Sequence, residues 1–220
     1  MHPDIEAAVE EMYAAFARPR PRAIDACTVC CFTEKELRTL VETPLRELTA
    51  EQLWEYAFSA LLTAGDENDL RYFWPRIVEL SARGELGVDL EIVFEKPRRG
   101  EWRTWPQREQ DAIERFARAQ MADLARREYD FDEVDGWVCG FGRLFEDVMP
   151  LLEPLLEPTR AATVNLFGLY SYNARRAARG TLSNSFWDEG SENERRIAAW
   201  LCSDPVGEAL GRYYAEYAPD

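Results

Sequence analysis

Apolar residues recur at helical spacing along most of this chain, and the clearest case is the segment 53–64. Its polar residues Glu55, Ser59 and Thr63 stand at positions i, i+4 and i+8, so they form one narrow stripe on an otherwise apolar helix. A helix that is apolar on most of its sides usually lies in the middle of a bundle. We therefore predict a buried helix over this segment.

Capping and breaking residues set the expected bounds of the helices. Thr33 with Glu36, and Thr49 with Gln52, have the spacing of a capping box, in which each side chain bonds the backbone near the other. Pro75 should kink or restart its helix because proline lacks the amide proton. Together with the apolar spacing, these signals predict helices over residues 7–16, 33–42, 53–64, 66–80, 108–126, 134–148, 159–178, 191–202 and from 204 onward.

The segment 88–94 has an ambiguous pattern, because apolar and mostly polar residues alternate there as in a strand. No second candidate strand exists to pair with it, so we predict a short helix. The fold class is therefore all-α, either an irregular helical bundle or a short HEAT-like stack of helical hairpins. Residues 73–80 and 148–155 loosely echo each other, as the units of such a stack would.

We predict a single all-α domain over residues 1–220, with a possible sub-domain break near residues 96–104. A chain of this length buries a sizeable core without the help of disulfides or metals. Residues 96–100, which read Lys-Pro-Arg-Arg-Gly, are the best candidate for a linker.

The net charge of −15, from 41 acidic and 26 basic residues, narrows the classes of partner. A negative field repels phosphate backbones, so we do not expect nucleic acid as a ligand. An acidic surface attracts a basic protein, although net charge also serves solubility alone.

No apolar run approaches the roughly 18–20 residues that span a bilayer. Residues 1–12 carry acidic side chains where a signal peptide would carry basic ones. We therefore expect a cytoplasmic protein with no membrane partner.

Histidine chemistry is nearly excluded, because His2 is the only histidine in the chain. A Ser-His-Asp triad or a Cys-His pair would have to use this residue, close to the N-terminus, where side chains are rarely held in a fixed geometry. The zinc-protease motif, the Glu-x-x-His pairs of di-iron bundles and the Walker loop are absent from the sequence. These exclusions favour a non-enzymatic protein.

Cys27, Cys30 and Cys31 form the one dense cluster of reactive side chains. Cys27 and Cys30 have the spacing of a zinc knuckle, with Cys31, Cys139 or Cys202 as further possible ligands, but a second Cys-x-x-Cys pair is missing. A thiol-redox site is the second interpretation, although such sites normally follow a strand. The third interpretation, which we favour, is that reduced cysteines fill the gap between the first two helices. We thus expect no cofactor, with zinc as the alternative.

Trp102 and Trp105 lie on either side of Arg103 and flank a predicted turn, so both indoles could sit at the surface. Exposed aromatic residues beside an arginine are common interface anchors, which makes these three residues candidates for partner binding. Four other tryptophans lie on apolar helix faces and are expected in the core: Trp54, Trp74, Trp137 and Trp200.

Arg175, Arg176 and Arg179 form a basic cluster that could capture an anion. They stand at the end of the predicted helix 159–178, where positive side chains interact with the negative pole of the helix dipole. The dipole is the simpler interpretation of this cluster.

A string of motif residues follows the cysteine cluster: Pro44-Leu45-Arg46-Glu47-Leu48-Thr49-Ala50-Glu51, Tyr56-Ala57, Gly65-Asp66, Asp69, Arg71, Phe73, Pro75 and Arg76. Over residues 27–110 this pattern resembles a group of uncharacterised bacterial all-helical proteins. Those relatives carry a Cys-x-x-Cys ahead of the run, as Cys27 and Cys30 stand here. The resemblance implies a bacterial, all-helical protein and implies no particular activity.

Two functional hypotheses follow from these patterns. The first is a non-enzymatic, cytoplasmic interaction protein that binds a basic protein through an acidic surface, as an adaptor or a toxin-neutralising protein would. The alternative is a metal-binding or thiol-redox protein centred on Cys27, Cys30 and Cys31.

Overall fold

The computed structural model describes residues 1–29, 31–188 and 190–216 and confirms the all-α fold class. Within these ranges the β pairing is limited to isolated bridges that join Ala64 to Ala26 and to Ala60. None of the helices in the described ranges has both the length and the apolar character that a membrane-spanning helix needs.

The chain divides into two compact units, Met1–Phe116 and Ala117–Asp220. The boundary falls inside a helix, α6 (Gln107–Asp123), and not in the segment 96–104 where we placed a possible break. The prediction of residues 96–100 as a linker is wrong for all but the last of them, because α5 (Leu90–Arg99) contains the rest and Gly100 caps it. Whether the units behave as one domain stays a prediction.

Six α-helices lie wholly or partly in the first unit. Three of them begin with a complete capping box: Thr33 and Thr49 form the predicted boxes, and Asp66 forms a third. The elements are α1 (Pro3–Ala15), α2 (Glu34–Glu42), a 3-10 helix (Leu45–Glu47), α3 (Ala50–Ser59), α4 (Glu67–Ala82), α5, a second 3-10 helix (Trp102–Thr104) and the first part of α6.

Two ambiguous segments of the first unit are resolved as helix. Most of the segment 88–94 belongs to α5, as predicted, and α5 continues through Pro97. Pro75 lies inside α4, so that helix is not restarted there. Its neighbours Phe73 and Trp74 are fully buried and, with Tyr56 and Phe94, form an aromatic core.

A buried ion network links α4, α6 and the segment after α1 within the first unit. Glu109 is completely buried and accepts hydrogen bonds from Arg18 at 2.6 Å and from Arg71 at 2.8 and 3.0 Å. The two guanidinium groups are largely covered as well. A buried carboxylate is tolerated only when it is paired in this way.

Helix α8 occupies the centre of the second unit, where it contacts α7, α9 and α10. The predicted helix 134–148 ends earlier than expected, because Asn193 donates hydrogen bonds to the carbonyl oxygens of Gly142 and Phe145 and so terminates α7. After the end of α6, the elements of this unit are α7 (Phe131–Leu144), a 3-10 helix (Met149–Leu156), α8 (Arg160–Ala177), α9 (Glu192–Leu201) and α10 (Asp204–Glu216).

A buried polar cluster fastens the loop after α8 to the second unit. Asp135 accepts hydrogen bonds from the side-chain amides of Asn173 and Asn184, each at 2.8 Å. Burial raises the pKa of Asp135 above its ordinary value, and the two amides lower it in part. The loop is held further by Glu194, which accepts from the backbone of Leu182 and Gly190.

Candidate protein-interaction surface

Three large apolar side chains on and after α3 are exposed, and we call them the apolar ridge: Trp54, Phe58 and Leu62. Their relative exposures are 41%, 43% and 54%. Trp54 and Phe58 stand four residues apart on α3, and Leu62 lies in the turn that follows the helix. The expectation that Trp54 belongs to the core is therefore wrong.

Helix α3 carries two apolar faces, and only one of them packs into the first unit. Leu53, Tyr56 and Ala57 are fully buried on the inner face. Ser59, which we expected on the polar stripe, is also buried, and its hydroxyl donates to the carbonyl oxygen of Glu55 at 2.5 Å. With the inner face occupied, the second apolar face is left for solvent or for a partner.

The indole of Trp54 is held in one position by two contacts. It stacks on Phe58 with ring centroids 5.6 Å apart and planes 5° from parallel. Its Nε1 donates a hydrogen bond to the carbonyl oxygen of Gly87 at 2.9 Å. Gly87 has a φ of +70°, a conformation that favours glycine. The ridge thus presents an aromatic pair that is already ordered without a partner.

A buried lysine fixes the backbone beneath Phe58. Lys96 of α5 is 3% exposed, and its Nζ donates to the carbonyl oxygen of Phe58 at 2.5 Å, near the end of α3. A cation at this position also interacts favourably with the negative pole of the helix dipole. Burial lowers the pKa of Lys96 to about 8, so the ammonium form still predominates at neutral pH.

The turn that carries Leu62 is built from long-range backbone pairing. The carbonyl oxygen of Thr63 accepts from the amide of Cys27 at 3.0 Å, and the amide of Gly65 donates to the carbonyl oxygen of Asp25 at 2.7 Å. Leu61 adopts a φ of +60°, which is costly for a residue with a Cβ atom. This pairing ends α3 at Ser59, five residues before the predicted end at residue 64.

Four acidic residues lie close to Trp54 and Phe58 along the chain or next to Gly87. Glu51 and Glu55 each stand three residues before a ridge aromatic on α3, and residues at that spacing are neighbours on a helix surface. Glu85 and Asp89 are exposed and stand two residues before and after Gly87, whose carbonyl oxygen accepts from the Trp54 indole. Helix α3 carries no basic residue. A partner that covers the Trp54 end of the ridge therefore meets acidic residues.

The structure places the cysteine segment beside this turn. Cys27 and Cys31 are half-buried, and the buried side chains of Ile24 and Phe32 anchor the chain on either side of them. Among the residues that the structure describes, no group of three or more His, Cys, Asp or Glu side chains is arranged to hold a metal ion. Cys30 lies outside the described residues, so a metal site at Cys27, Cys30 and Cys31 stays a prediction.

The second set of candidate residues lies at the end of α5, and the structure buries both of its indoles. Trp102 and Trp105 are each 3% exposed. Trp105 Nε1 donates to the carbonyl oxygen of Gly100 at 2.9 Å, and its ring packs edge-on against Phe16. Arg103 is exposed, and its guanidinium lies 3.9 Å from the centre of the Trp102 ring. The two indoles that we expected at the surface are therefore buried within the first unit.

The apolar ridge was not predicted, because a helix that is apolar on most of its sides is usually a buried one. The signal was nevertheless present, since Trp54 and Phe58 form their own i, i+4 pair, separate from the inner pair of Leu53 and Ala57. A ten-residue helix that carries two such pairs offers more apolar surface than one packing contact covers.

Comparison of the chain with protein-family models, with curated proteins and with solved structures gave no match. The functional argument therefore depends on the geometry and charge of the described residues.

Proposed function

We propose that this protein is a non-enzymatic, cytoplasmic interaction protein that binds a basic helical segment of a partner protein on the apolar ridge. An adaptor or a toxin-neutralising protein would use such a surface. The observation that carries the proposal is the stacked, solvent-exposed pair of Trp54 and Phe58.

The order of the aromatic pair supports a binding role over chance exposure. Aromatic side chains bury roughly 150–250 Å² each, and a few such residues dominate the energy of most protein interfaces. The stacking and the Gly87 hydrogen bond already restrict the Trp54 indole, so a partner loses little side-chain entropy in covering it.

The charge around the ridge favours a basic partner. Glu51 and Glu55 flank the aromatic residues, and the whole chain carries a net charge of −15. Lysine or arginine side chains beside an apolar stripe would face these carboxylates while the stripe covers the ridge. An amphipathic helix with basic flanks combines both features and places its apolar residues at i and i+4, the spacing of the ridge aromatics.

The direct test uses a fluorescein-labelled, 18-residue amphipathic peptide composed of leucine and lysine. We expect it to bind the wild-type protein with micromolar affinity in fluorescence anisotropy. Phe58→Ser should weaken this binding at least tenfold, because it removes one half of the stacked pair. Glu51→Gln combined with Glu55→Gln should slow association and reduce the salt dependence.

The matched control is Phe131→Ser, which removes an equally exposed aromatic residue from the second unit. It should leave the affinity for the basic peptide unchanged. Equal affinity of the wild type and Phe58→Ser, or no binding of the peptide at all, would refute the proposal. So would sedimentation data in which the wild type dimerises and Phe58→Ser is monomeric, because the ridge would then be covered by a second copy of the chain.

A further inference from the structure

A basic face occupies the last turns of α8 in this acidic protein, and we call it the arginine face: Tyr172, Arg175, Arg176 and Arg179. These residues are exposed and stand at positions i, i+3, i+4 and i+7, so they lie along one side of the helix and its C-terminal extension. The sequence singled out the three arginines, and the proposed function leaves them unexplained.

The three arginines differ in their pairing from five other arginines of the second unit. Among the described residues, no carboxylate lies within ion-pair distance of Arg175, Arg176 or Arg179. The chain holds 41 acidic residues, so carboxylates are abundant. Elsewhere in this unit arginines do find acidic partners: Arg127 with Asp123, Arg143 with Asp188, Arg160 with Glu128, Arg195 with Glu192, and Arg196 with Asp147.

An exposed aromatic pair adjoins the arginine face. The rings of Phe131 and Tyr172 lie 5.4 Å apart, and these residues are 50% and 43% exposed. Phe131 reaches this position because Gly168 of α8 lets it approach closely: a Cβ atom on Gly168 would lie 3.1 Å from the Cβ atom of Phe131. The surface therefore combines an apolar end with a row of positive charges.

The helix dipole accounts for only part of this arrangement. A basic residue in the last turn of a helix contributes about 0.3–1 kcal/mol through the dipole, and the effect falls off beyond that turn. Arg179 lies past the end of α8 at Ala177, and the dipole gives no reason for an exposed aromatic pair. Arginine and aromatic residues together are typical of interface hot spots.

We propose that the arginine face, together with Phe131, binds an acidic segment of a partner protein that carries aromatic residues among its carboxylates. Each guanidinium offers a planar fork of donors that matches a carboxylate with two parallel hydrogen bonds. An aromatic side chain of the segment packs on the Phe131–Tyr172 pair. This surface lies in the second unit and does not depend on the apolar ridge, so each proposal can fail without the other.

The test measures the anisotropy of a fluorescein-labelled peptide made of four Tyr-Glu-Glu repeats. We expect saturable binding to the wild type that weakens as salt is raised. The triple variant Arg175→Gln/Arg176→Gln/Arg179→Gln should bind at least tenfold more weakly. The single variant Arg179→Glu, whose site lies outside α8 and so spares the helix, should also bind severalfold more weakly. A Ser-Glu-Glu repeat peptide should bind less tightly than the tyrosine peptide.

The matched control is Arg160→Gln/Arg195→Gln/Arg196→Gln, which removes the same charge from three arginines of this unit that are paired with carboxylates. It should bind the peptide as the wild type does. Equal losses in the two triple variants would overturn the proposal, since net charge alone would explain them. Three other results would overturn the proposal as well. The peptide shows no saturable binding below 1 mM, or a labelled oligothymidylate binds more tightly than the peptide does. The third is a wild type that forms a dimer which the Arg175/Arg176/Arg179 variant does not form.

Discussion

The indole of Trp187 lies directly on Gly142 of α7, so closely that a Cβ atom on Gly142 would be 2.2 Å from Cη2 and 2.8 Å from Cζ3 of the ring. Contacts below 3.0 Å are essentially never seen for real Cβ atoms, so no side chain fits between them. Trp187 belongs to the loop that Asp135 and Glu194 fasten to the second unit. The glycine therefore determines where this loop can pack.

Gly142→Ala should destabilise the second unit by about 1–3 kcal/mol, because overpacking forces the Trp187 indole out of its site. Chemical denaturation with urea measures the change. The control is Gly207→Ala in α10, where nothing lies within 4 Å of the added Cβ atom. That substitution should be neutral or stabilise by up to about 1 kcal/mol, as helix propensity dictates. Similar effects of the two substitutions would contradict the packing argument.

The buried ion network makes a second prediction about stability. Glu109→Gln removes the charge that compensates Arg18 and Arg71, and we expect a loss of about 3–5 kcal/mol in the free energy of unfolding. Glu10→Gln serves as the control, since Glu10 pairs with Arg46 at an exposed site and should cost less than about 1 kcal/mol. Urea denaturation of both variants gives the comparison. A cost for Glu109→Gln as small as that for Glu10→Gln would show that the network contributes little.

The helix starts could be predicted from sequence because a capping box involves residues only three positions apart. The boxes at Thr33 and Thr49 form as their spacing indicates. The helix ends were harder, because distant residues decide them. Helix α3 stops at Ser59, where Lys96 bonds the carbonyl oxygen of Phe58 in its last turn and Cys27 bonds that of Thr63 in the turn that follows. Both contacts join residues more than 30 positions apart.

For the candidate surfaces as well, the sequence shows which residues share a helix face but not which distant residues cover them. The spacing of Trp54 and Phe58 shows in the sequence that they share a helix face, but a pattern of apolar positions does not say which of two faces packs inward. For Trp102 and Trp105 the error is the opposite one, because we expected exposed indoles and both are buried. The contacts that bury Trp105 come from Phe16 and Gly100. Partners as distant as Glu109 and Arg18, 91 residues apart, have no signature in sequence spacing.

The cysteines should differ sharply in their reactivity toward iodoacetamide. Cys202 is exposed at the end of α9, whereas Cys139 is 1% exposed in α7. We expect native alkylation of Cys202 to be faster by a factor of about 10³ or more, because Cys139 requires opening of the second unit. Peptide mass spectrometry of time points identifies each site. Comparable rates at the two residues would mean that α7 is not protected as its burial indicates.

The same alkylation experiment tests the metal hypothesis at the cysteine cluster. If Cys27 and Cys31 are packing residues, one equivalent of zinc should leave their alkylation rates unchanged. Slower alkylation of both residues in the presence of zinc, reversed by a chelator, would instead favour a thiolate site.

The last prediction concerns pH and follows from Lys96, whose pKa is lowered by burial from 10.5 to about 8. Between these two values the unfolded chain holds the Lys96 proton and the folded chain does not. The free energy of unfolding therefore rises with pH in this window, by at most about 1.4 kcal/mol per pH unit from this group. Well below pH 8 both states are protonated, so the contribution of Lys96 no longer changes with pH.

Urea denaturation at pH 7, 8, 9 and 10 isolates this contribution when the wild type is compared with Lys96→Met. The difference in unfolding free energy between the two proteins should change by less than about 0.5 kcal/mol from pH 7 to pH 8 and should grow in favour of the wild type above pH 8. Lys35→Met is the matched control, because Lys35 is the other lysine of the chain and is exposed on α2. Its difference from the wild type should not vary with pH. If the unfolding free energies of Lys96→Met and the wild type change with pH in the same way, Lys96 is not desolvated beneath Phe58. The claim that a buried lysine orders the backbone under the apolar ridge would then be wrong.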